Sequence, residues 1–507
     1  MSQTVRILAT SDIHGYVFPF SYADRTPVNQ SLSRVSTLIR QFRDENTILI
    51  DNGDVLEGSP LTFYHHNNHE TCGEPMTKVM RHMNYDYVNL GNHDFNYGPD
   101  TVLEYLNGVG GECISANVIW RGQPVGKRYV VRTFENGVRI ALFGVDTHYI
   151  PNWETPENIE GFEFTDAFET AKQIVREIKN SETVDFVVGV YHGGFERDLE
   201  IGEPTEDQTG ENQGYRMCTE IEGLDLLITG HQHRSLKGVL NGTAYTQVLD
   251  NGRELAMIEL DGDTKEIRTK ILKVECEPDQ ELLQLLQDEE DRCQTWLDQP
   301  LGTCAVDLVI HDEDDARVHK SQLITFLNKV TLEATGAQIA ANALFLHATG
   351  FPAQITMRNL VSTYVYPNTL VVKQATGKVL REYLEKDAEF FAVRDGQIVV
   401  SPQYDYPTPQ HFNYDMLDGI EYTICVSNPV GSRITSLTRN GKDVADDDVF
   451  TLAVNNYRAS GGGNFNMIKT APVVKEIQTS MVEILAEYIM KHPLIDFEPV
   501  NNIQVIL

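Results

Sequence analysis

Asp12-Ile13-His14-Gly15, Asn52-Gly53-Asp54, Gly91-Asn92-His93-Asp94, His192-Gly193-Gly194 and Gly230-His231-Gln232-His233 form five short polar clusters in the first half of the sequence. Each follows an apolar run that reads as a buried strand: VRILATS, TILID, YDYVNL, VDFVVGVY and LDLLIT. Strands of this kind ending in Asp, His or Asn place those groups on loops at one edge of a sheet, where ligand sites form. The seven nitrogen and oxygen donors they offer suit two borderline divalent ions, with one carboxylate bridging both. A metal pair about 3.5–4 Å apart serves in-line displacement at phosphorus by activating a water and neutralising the phosphoryl oxygens. One DxHG or GNHD alone is a weak signal, because Asp, Asn and Gly favour turns. Five in this order, each on a strand end, argue against ordinary loop polars.

The elements that must position these clusters are legible from periodicity. Residues 1–275 alternate strand-like runs with helical stretches, and 31–42 and 167–178 carry apolar groups at helical spacing. From about Ser235 the pattern becomes strand and turn, with Asn241-Gly242, Asn251-Gly252 and Asp261-Gly262-Asp263 as hairpin punctuation. That region predicts the closing strands of a layered α/β sandwich. Residues 277–296 form a charged helix with leucines at helical spacing, stopped by Pro300. It reads as a linker over 276–300, with a final helix of the first domain as the alternative. Residues 301–507 read as a second α/β unit. Helices are predicted over 321–336, 376–391 and 475–491, and strands over 420–426 and 449–454. Residues 312–315 and 446–448 read as acidic surface loops.

At 507 residues the chain holds material for two or more domains. Acidic residues exceed basic ones by 74 − 41 = 33, so the molecule is a strong polyanion. That argues against a general basic face for duplex nucleic acid. It leaves small anionic substrates open, because two metal ions invert the local field. No window approaches the roughly 20 apolar residues of a membrane span, so no membrane partner is expected. The first residues enter a strand without a basic or apolar leader. The cysteines at 72, 113, 218, 276, 293, 304 and 425 are odd in number and include no CxxC pair. Together these features predict reduced thiols, a native start and a cytoplasmic location.

Taken together, the five clusters resemble the calcineurin-like metallophosphoesterase signature DxH…GD…GNHD…H…GHxH, over roughly residues 5–235. The resemblance implies a four-layer α-β-β-α sandwich. It assigns Asp12, His14 and His233 to one ion, Asn92, His192 and His231 to the other, and Asp54 as the bridge. The ions would be Mn²⁺, Zn²⁺, Fe or Co²⁺. Gly15, Gly53, Gly91 and Gly230 fit loops that turn sharply beside ligands. His93 and Asp94 resemble the family's catalytic dyad. Asp94 would hold the imidazole of His93, which would stabilise the phosphoryl charge and protonate the leaving oxygen. A metal-bound hydroxide would be the nucleophile. His65, His66 and His69 read as a polar surface loop, and His148 as a candidate support for the ligands.

In the second unit, Tyr364-Val365-Tyr366-Pro367-Asn368-Thr369 and Asn455-Asn456-Tyr457-Arg458-Ala459-Ser460-Gly461-Gly462-Gly463 resemble the two substrate motifs of the 5′-nucleotidase C-terminal domain. By that resemblance Tyr366 and Tyr457 sandwich a nucleobase, Asn368 touches the nucleoside, and Gly461 and Gly462 let the backbone approach it. Of the arginines that grip phosphate in such enzymes, Arg317 is the one that can be placed. Glu313 and His347 stand at the other positions, and Gly463 replaces the acidic residue that reads the base. The pattern is closer to the 2′,3′-cyclic-nucleotide 2′-phosphodiesterase/3′-nucleotidase branch. A 5′-nucleotidase or nucleotide-sugar hydrolase is the alternative. An inactive nucleotide sensor is disfavoured by the presence of Asp54 and His93, and a nuclease by the net charge. A cleft between the domains and a hinge near 296–305 are further implications of the resemblance. The sequence does not indicate an oligomeric state.

Overall fold

The structure, a computed structural model, describes residues 4–68, 75–205, 208–366, 368–477 and 479–507. His69, Cys72 and Pro367 lie outside the described residues. The chain divides into two compact units between Cys293 and Gln294.

Two six-stranded sheets build the first unit. One runs in the order Ile267–Lys273, Glu254–Asp261, Thr4–Thr10, Thr47–Asp51, Tyr87–Val88, Glu112–Cys113. The other runs Leu236–Leu240, Thr243–Gln247, Leu226–Thr229, Phe186–His192, Arg139–Asp146, Val130–Thr133. Side chains alternate across a strand. So Val188 and Val190 join Val5, Ile7, Ile48, Ile140 and Ile258 in the core between the sheets, while Val187 and Tyr191 face outward. The outward side is covered by the helix Ala167–Ser181, which buries Phe168, Ala171, Ile174, Val175 and Ile178. On the other sheet, the helix Leu32–Phe42 buries Leu32, Val35, Leu38 and Ile39 and packs against Glu254–Asp261. This is the four-layer α-β-β-α sandwich that the resemblance implies.

Parallel pairing brings the strand ends level. Thr10 lies beside Asp51, His192 beside Asp146, and Tyr191 beside Thr229. Each polar cluster therefore leaves its sheet at the same edge.

Four local expectations need correction. Asn241 and Gly242, with φ of 50° and 91°, do close a hairpin. Asn251-Gly252 does not: it carries the chain from one sheet to the other, since Thr243–Gln247 and Glu254–Asp261 belong to different sheets. His65 and His66 lie on a helix, Pro60–Asn67, because Ser59 caps it and Pro60 starts it. Asp312 is the cap of the short helix Glu313–Val318, accepting the amides of Asp314 and Asp315, and the acidic first turn suits the helix dipole. The helix expected over 475–491 begins only at Met481, where Ser480 and Glu483 form a capping box. Lys475 instead sits in the strand Val473–Ile477, paired with Leu370–Thr376.

The helix Gln280–Leu297 is tied to the first unit through Tyr22 Oη, which donates to Glu290 at 2.7 Å, and His65, whose Nδ1 meets Glu289 at 2.5 Å. The second unit is a further α/β fold. Its five-stranded sheet runs Asp415–Asp418, Ile339–Ala343, Val449–Asn455, Leu370–Thr376, Val473–Ile477, with the helices Gln322–Thr335 and Gly377–Ala388 packed on it. No helix among the described residues is long and apolar enough to cross a membrane.

Because the inter-sheet core carries the strand ends, truncating it is expected to destabilise the whole unit. Ile140→Ala, at a fully buried position, should lower the unfolding free energy by about 2–5 kcal/mol, read from the urea midpoint.

Candidate metal centre and nucleoside site

Five of the seven donors sit on backbone that L-residues rarely adopt: φ is 56° at Asp12, 51° at His14, 57° at Asp54, 68° at His231 and 52° at His233. Such strain persists only where surrounding structure over-determines it, and it clusters at functional sites. The loops are also packed without slack. A Cβ on Gly53 would lie 2.3 Å from the Gly91 nitrogen, and one on Gly91 would lie 2.4 Å from Asp54 Oδ1.

The structure brings the donors into two groups, Asp12 with His14 and His233, and Asp54 with His192 and His231. Each histidine has one ring nitrogen engaged by an acceptor on its outer side. His14 Nδ1 donates to the Glu57 carbonyl at 2.9 Å and His192 Nδ1 to the Asn52 carbonyl at 2.6 Å. His231 Nε2 meets Glu211 at 3.1 Å, and His233 Nδ1 faces Asp250 at 3.7 Å. The other nitrogen of each ring is turned inward. His14 Nε2 lies 3.1 Å from His233 Nε2, His192 Nε2 lies 3.1 Å from Asp54 Oδ2, and His231 Nδ1 lies 2.8 Å from Asn92 Oδ1. His192 Nε2 and Asp54 Oδ2 are buried with no hydrogen-bond partner. Ring nitrogens and carboxylate oxygens crowded together in this way need protons or cations between them, and imidazole plus carboxylate donors fit divalent metals. The residues present therefore fit a metal pair.

The charges respond accordingly. Burial works against the Asp54 carboxylate, but His192, His93 and His14 hold it well below the usual range. Burial likewise opposes Asp12, which His233 and His192 hold down at about 2. Desolvation disfavours the His192 imidazolium, yet Asp54, Asp12 and Asp146 raise it well above the ordinary histidine value. His14 is lowered, by burial first and then by the His233 and His93 charges.

Asp94 does not hold the His93 ring as expected. Its carboxylate accepts four backbone amides: Asp54 and Gly91 at Oδ2, Val55 and Leu56 at Oδ1, all within 3.0 Å. No acceptor capacity is left for an imidazole. His93 Nδ1 instead donates to Asn96 Oδ1 at 2.7 Å, with Glu57 Oε2 at 3.2 Å, and its backbone amide donates to Asp54 Oδ1 at 2.7 Å. Burial opposes the His93 imidazolium, but Asp54, Glu57 and Asn96 push it up to about 10. His148 faces Asp166 at 3.7 Å, not a ligand.

In the second unit, Tyr457 lies on the short helix Asn456–Ala459, which the Asn455 side chain caps. Phe412, absent from the sequence reading, lies beside both expected clamp residues, its ring 6.3 Å from Tyr366 and 6.3 Å from Tyr457. A ring in a single 3-10 turn, His411–Asn413, carries no periodic signal, so sequence had no means of finding it. The Arg458 guanidinium is buried, stacked 3.8 Å from the Phe465 ring and bonded through Nε to Asp415 at 2.7 Å; it also donates to the Gly462 carbonyl. Gly461 has φ of 96°. Gly463 has φ of 71°, and a Cβ there would lie 2.3 Å from Asn413 Oδ1 and 2.5 Å from Arg458 Nη1, so a side chain there would be strained and would displace both. Asn368 is held by its backbone, its carbonyl accepting the Met481 amide at 2.8 Å. Arg317 is 1 % exposed and donates to Glu313 at 2.9 Å, while its Nε and Nη1 have no hydrogen-bond partner. The amide of His347 also donates to Glu313, at 3.0 Å, so the three positions form one group.

Comparison with known proteins agrees with this anatomy. Residues 5–235 match the calcineurin-like phosphoesterase family and residues 300–470 the 5′-nucleotidase C-terminal domain family. The chain belongs to the family that joins these two domains, a family of phosphoric ester hydrolases. A provisionally assigned 5′-nucleotidase from Staphylococcus aureus is 33 % identical, with a TM-score of 0.92 over 99 % of this chain and 100 % of its own. The 2′,3′-cyclic-nucleotide 2′-phosphodiesterase/3′-nucleotidase of Salmonella typhimurium is 28 % identical over 90 % of this chain and 81 % of its own length. The trifunctional nucleotide phosphoesterase of Bacillus subtilis is 26 % identical over 98 % of this chain, which spans only 38 % of that protein. Calcineurin-like phosphoesterases bind divalent metal ions.

The tight approach at Gly91 gives a direct check. Gly91→Ala is expected to displace Asp54 and lower bound Mn²⁺ or Zn²⁺, measured by elemental analysis, while the circular dichroism spectrum stays that of the folded protein.

Proposed function

We propose that this chain is a two-metal phosphohydrolase of nucleotides, acting on 2′,3′-cyclic nucleotides and nucleoside 3′-monophosphates. The observation that carries the reading is the set of four histidines, each with one ring nitrogen facing an outer acceptor and the other turned inward among the Asp12, Asp54 and Asn92 oxygens. The relatives bearing the cyclic phosphodiesterase/3′-nucleotidase name support the choice of substrate. Asp12, His14 and His233 would hold one ion and Asn92, His192 and His231 the other, with Asp54 between them. Bound there, the ions supply an activated water and neutralise the phosphoryl oxygens.

The chain's own residues do the rest. The Asn52 and Glu57 carbonyls and the Glu211 carboxylate fix which nitrogen of His192, His14 and His231 faces inward. His93 has its Nδ1–H engaged, which leaves Nε2 to donate a proton to the leaving oxygen and to stabilise developing phosphoryl charge. Tyr457, Phe412 and Tyr366 offer ring faces to a nucleobase, and stacking tolerates different bases. Arg317, whose Nη2 is held by Glu313 and the Leu344 carbonyl while Nε and Nη1 make no hydrogen bond, would be the cation for a nucleotide's charge in that unit. The 5′-nucleotidase reading is kept alive by the 33 % identity to the Staphylococcus aureus protein.

Turnover with Mn²⁺ of 2′,3′-cAMP, 3′-AMP, 5′-AMP, a UDP-sugar and a plain aryl phosphate discriminates these readings. The cyclic diester and the 3′-ester are expected to be preferred, and preference for 5′-AMP would overturn the assignment of regiochemistry. Asp54→Asn should cut kcat by more than about 100-fold, beyond the range of changes outside the ligand set, and lower bound metal. Tyr457→Ala should raise KM for the nucleotide by about 5–150-fold, the equivalent of one lost stacking contact, and leave aryl phosphate hydrolysis unchanged.

A further inference from the structure

The loop that follows the strand Arg139–Asp146 returns to the metal centre: Trp153 stacks on the His231 ring, with centroids 5.4 Å apart. The next residue, Glu154, reaches Asn96. The Asn96 Nδ2 donates to Glu154 Oε1, and Asn158 Nδ2 donates both to Glu154 Oε2 at 3.0 Å and to the Asn96 carbonyl at 2.8 Å. Asn96 Oδ1 then faces His93 Nδ1 at 2.7 Å.

Donor and acceptor chemistry makes this chain directional. Burial pushes the Glu154 carboxyl up to about 7; as the carboxylate, above that pH, it only accepts, so it compels Asn96 to turn its NH₂ toward it and its carbonyl oxygen toward His93. An amide oxygen in turn compels His93 to present Nδ1–H to it, which assigns the other nitrogen, Nε2, to the reacting phosphate. Glutamate also satisfies two donors at once, the amides of Asn96 and Asn158, which a glutamine cannot do without an N–H facing an N–H. Glu57 gives His93 Nδ1 a second acceptor at 3.2 Å, so losing Glu154 removes orientation and leaves the ring a partner.

We infer that Glu154 is a positioning residue that sets the orientation of His93 through the side-chain amide of Asn96. The inference rests on the acid role proposed for His93. Asp94 holds backbone amides, so this relay from a distant loop fills the place of the dyad carboxylate.

The test compares leaving groups, because a general acid matters only where the departing oxygen is basic. Glu154→Ala should lower kcat for 3′-AMP by about 10–100-fold, the range for partners that orient active-site histidines. KM, bound metal and hydrolysis of p-nitrophenyl phosphate, whose leaving group needs no proton, should stay near those of the parent. The double variant Asn96→Asp/Glu154→Gln swaps acceptor and donor along the same contacts, so it should recover most of the lost kcat. Glu154→Gln alone should fall between, and it serves if Glu154→Ala does not fold. Equal losses on both esters, or no recovery in the double variant, would overturn the relay. His93→Asn separates the two layers. A selective loss there, with none in Glu154→Ala, sinks the relay alone. An equal loss on both esters in His93→Asn sinks the acid role beneath it.

Discussion

The Asp94 carboxylate is the staple on which the candidate metal centre depends. It gathers amides from Asp54, Val55 and Leu56 on one loop and from Gly91 on another, with no residual exposure to water. Hydrogen bonds to a charged acceptor contribute roughly 1.5–3 kcal/mol each, and leaving one of these amides unmade in the interior costs a similar amount. Burial and the Asp54 charge push the Asp94 carboxyl up to about 6, and the same backbone amides counter that rise. Asp54 can hold a left-handed backbone because this staple clamps it from behind, and His93 lies where its own amide meets Asp54 Oδ1.

Around that staple the donor residues trade backbone comfort for convergence. Non-glycine residues with positive φ cost of order 1–3 kcal/mol each, and five of them occur within one set of donors. The two-sheet core offsets this. Strands buried on both faces cannot slip register without moving apolar side chains into the wrong layer, so their ends stay fixed. The loops are consequently short spans between immobile anchors, and the outer acceptors at Asn52, Glu57 and Glu211 need only set ring tautomers. The second unit uses another device for the same end: the buried Arg458–Asp415 pair, stacked on Phe465, holds the glycine turn beside Tyr457 in one conformation.

Much was legible along the chain because it depends on neighbours in sequence. The apolar runs predicted the strands, the helical spacing predicted Leu32–Phe42, Ala167–Ser181 and Gln322–Thr335, and the polar clusters fell on strand ends as expected. The helix expected from residue 475 failed for a physical reason. Apolar spacing continues through Val473–Ile477, and only the Ser480–Glu483 capping box, together with pairing to a strand a hundred residues away, separates strand from helix. The acidic run at 312–315 was misread in the opposite sense, since a cap acts through backbone amides that composition does not display.

By itself the sequence indicated the layered fold, the candidate donor set and the order of its loops, because strand pattern and residue chemistry are local properties. Tertiary structure alone decided which group serves which. Asp94 beside His93 in sequence turns to the backbone, while Asn96, Glu57 and, through Asn96, Glu154 meet the ring. Phe412 packs beside both tyrosines, and Gly463 occupies a position where a side chain would displace Asn413 and Arg458. Hydrogen bonds are directional and short, so partners are chosen by how loops far apart in the chain are folded over one another, and adjacency in sequence does not encode that.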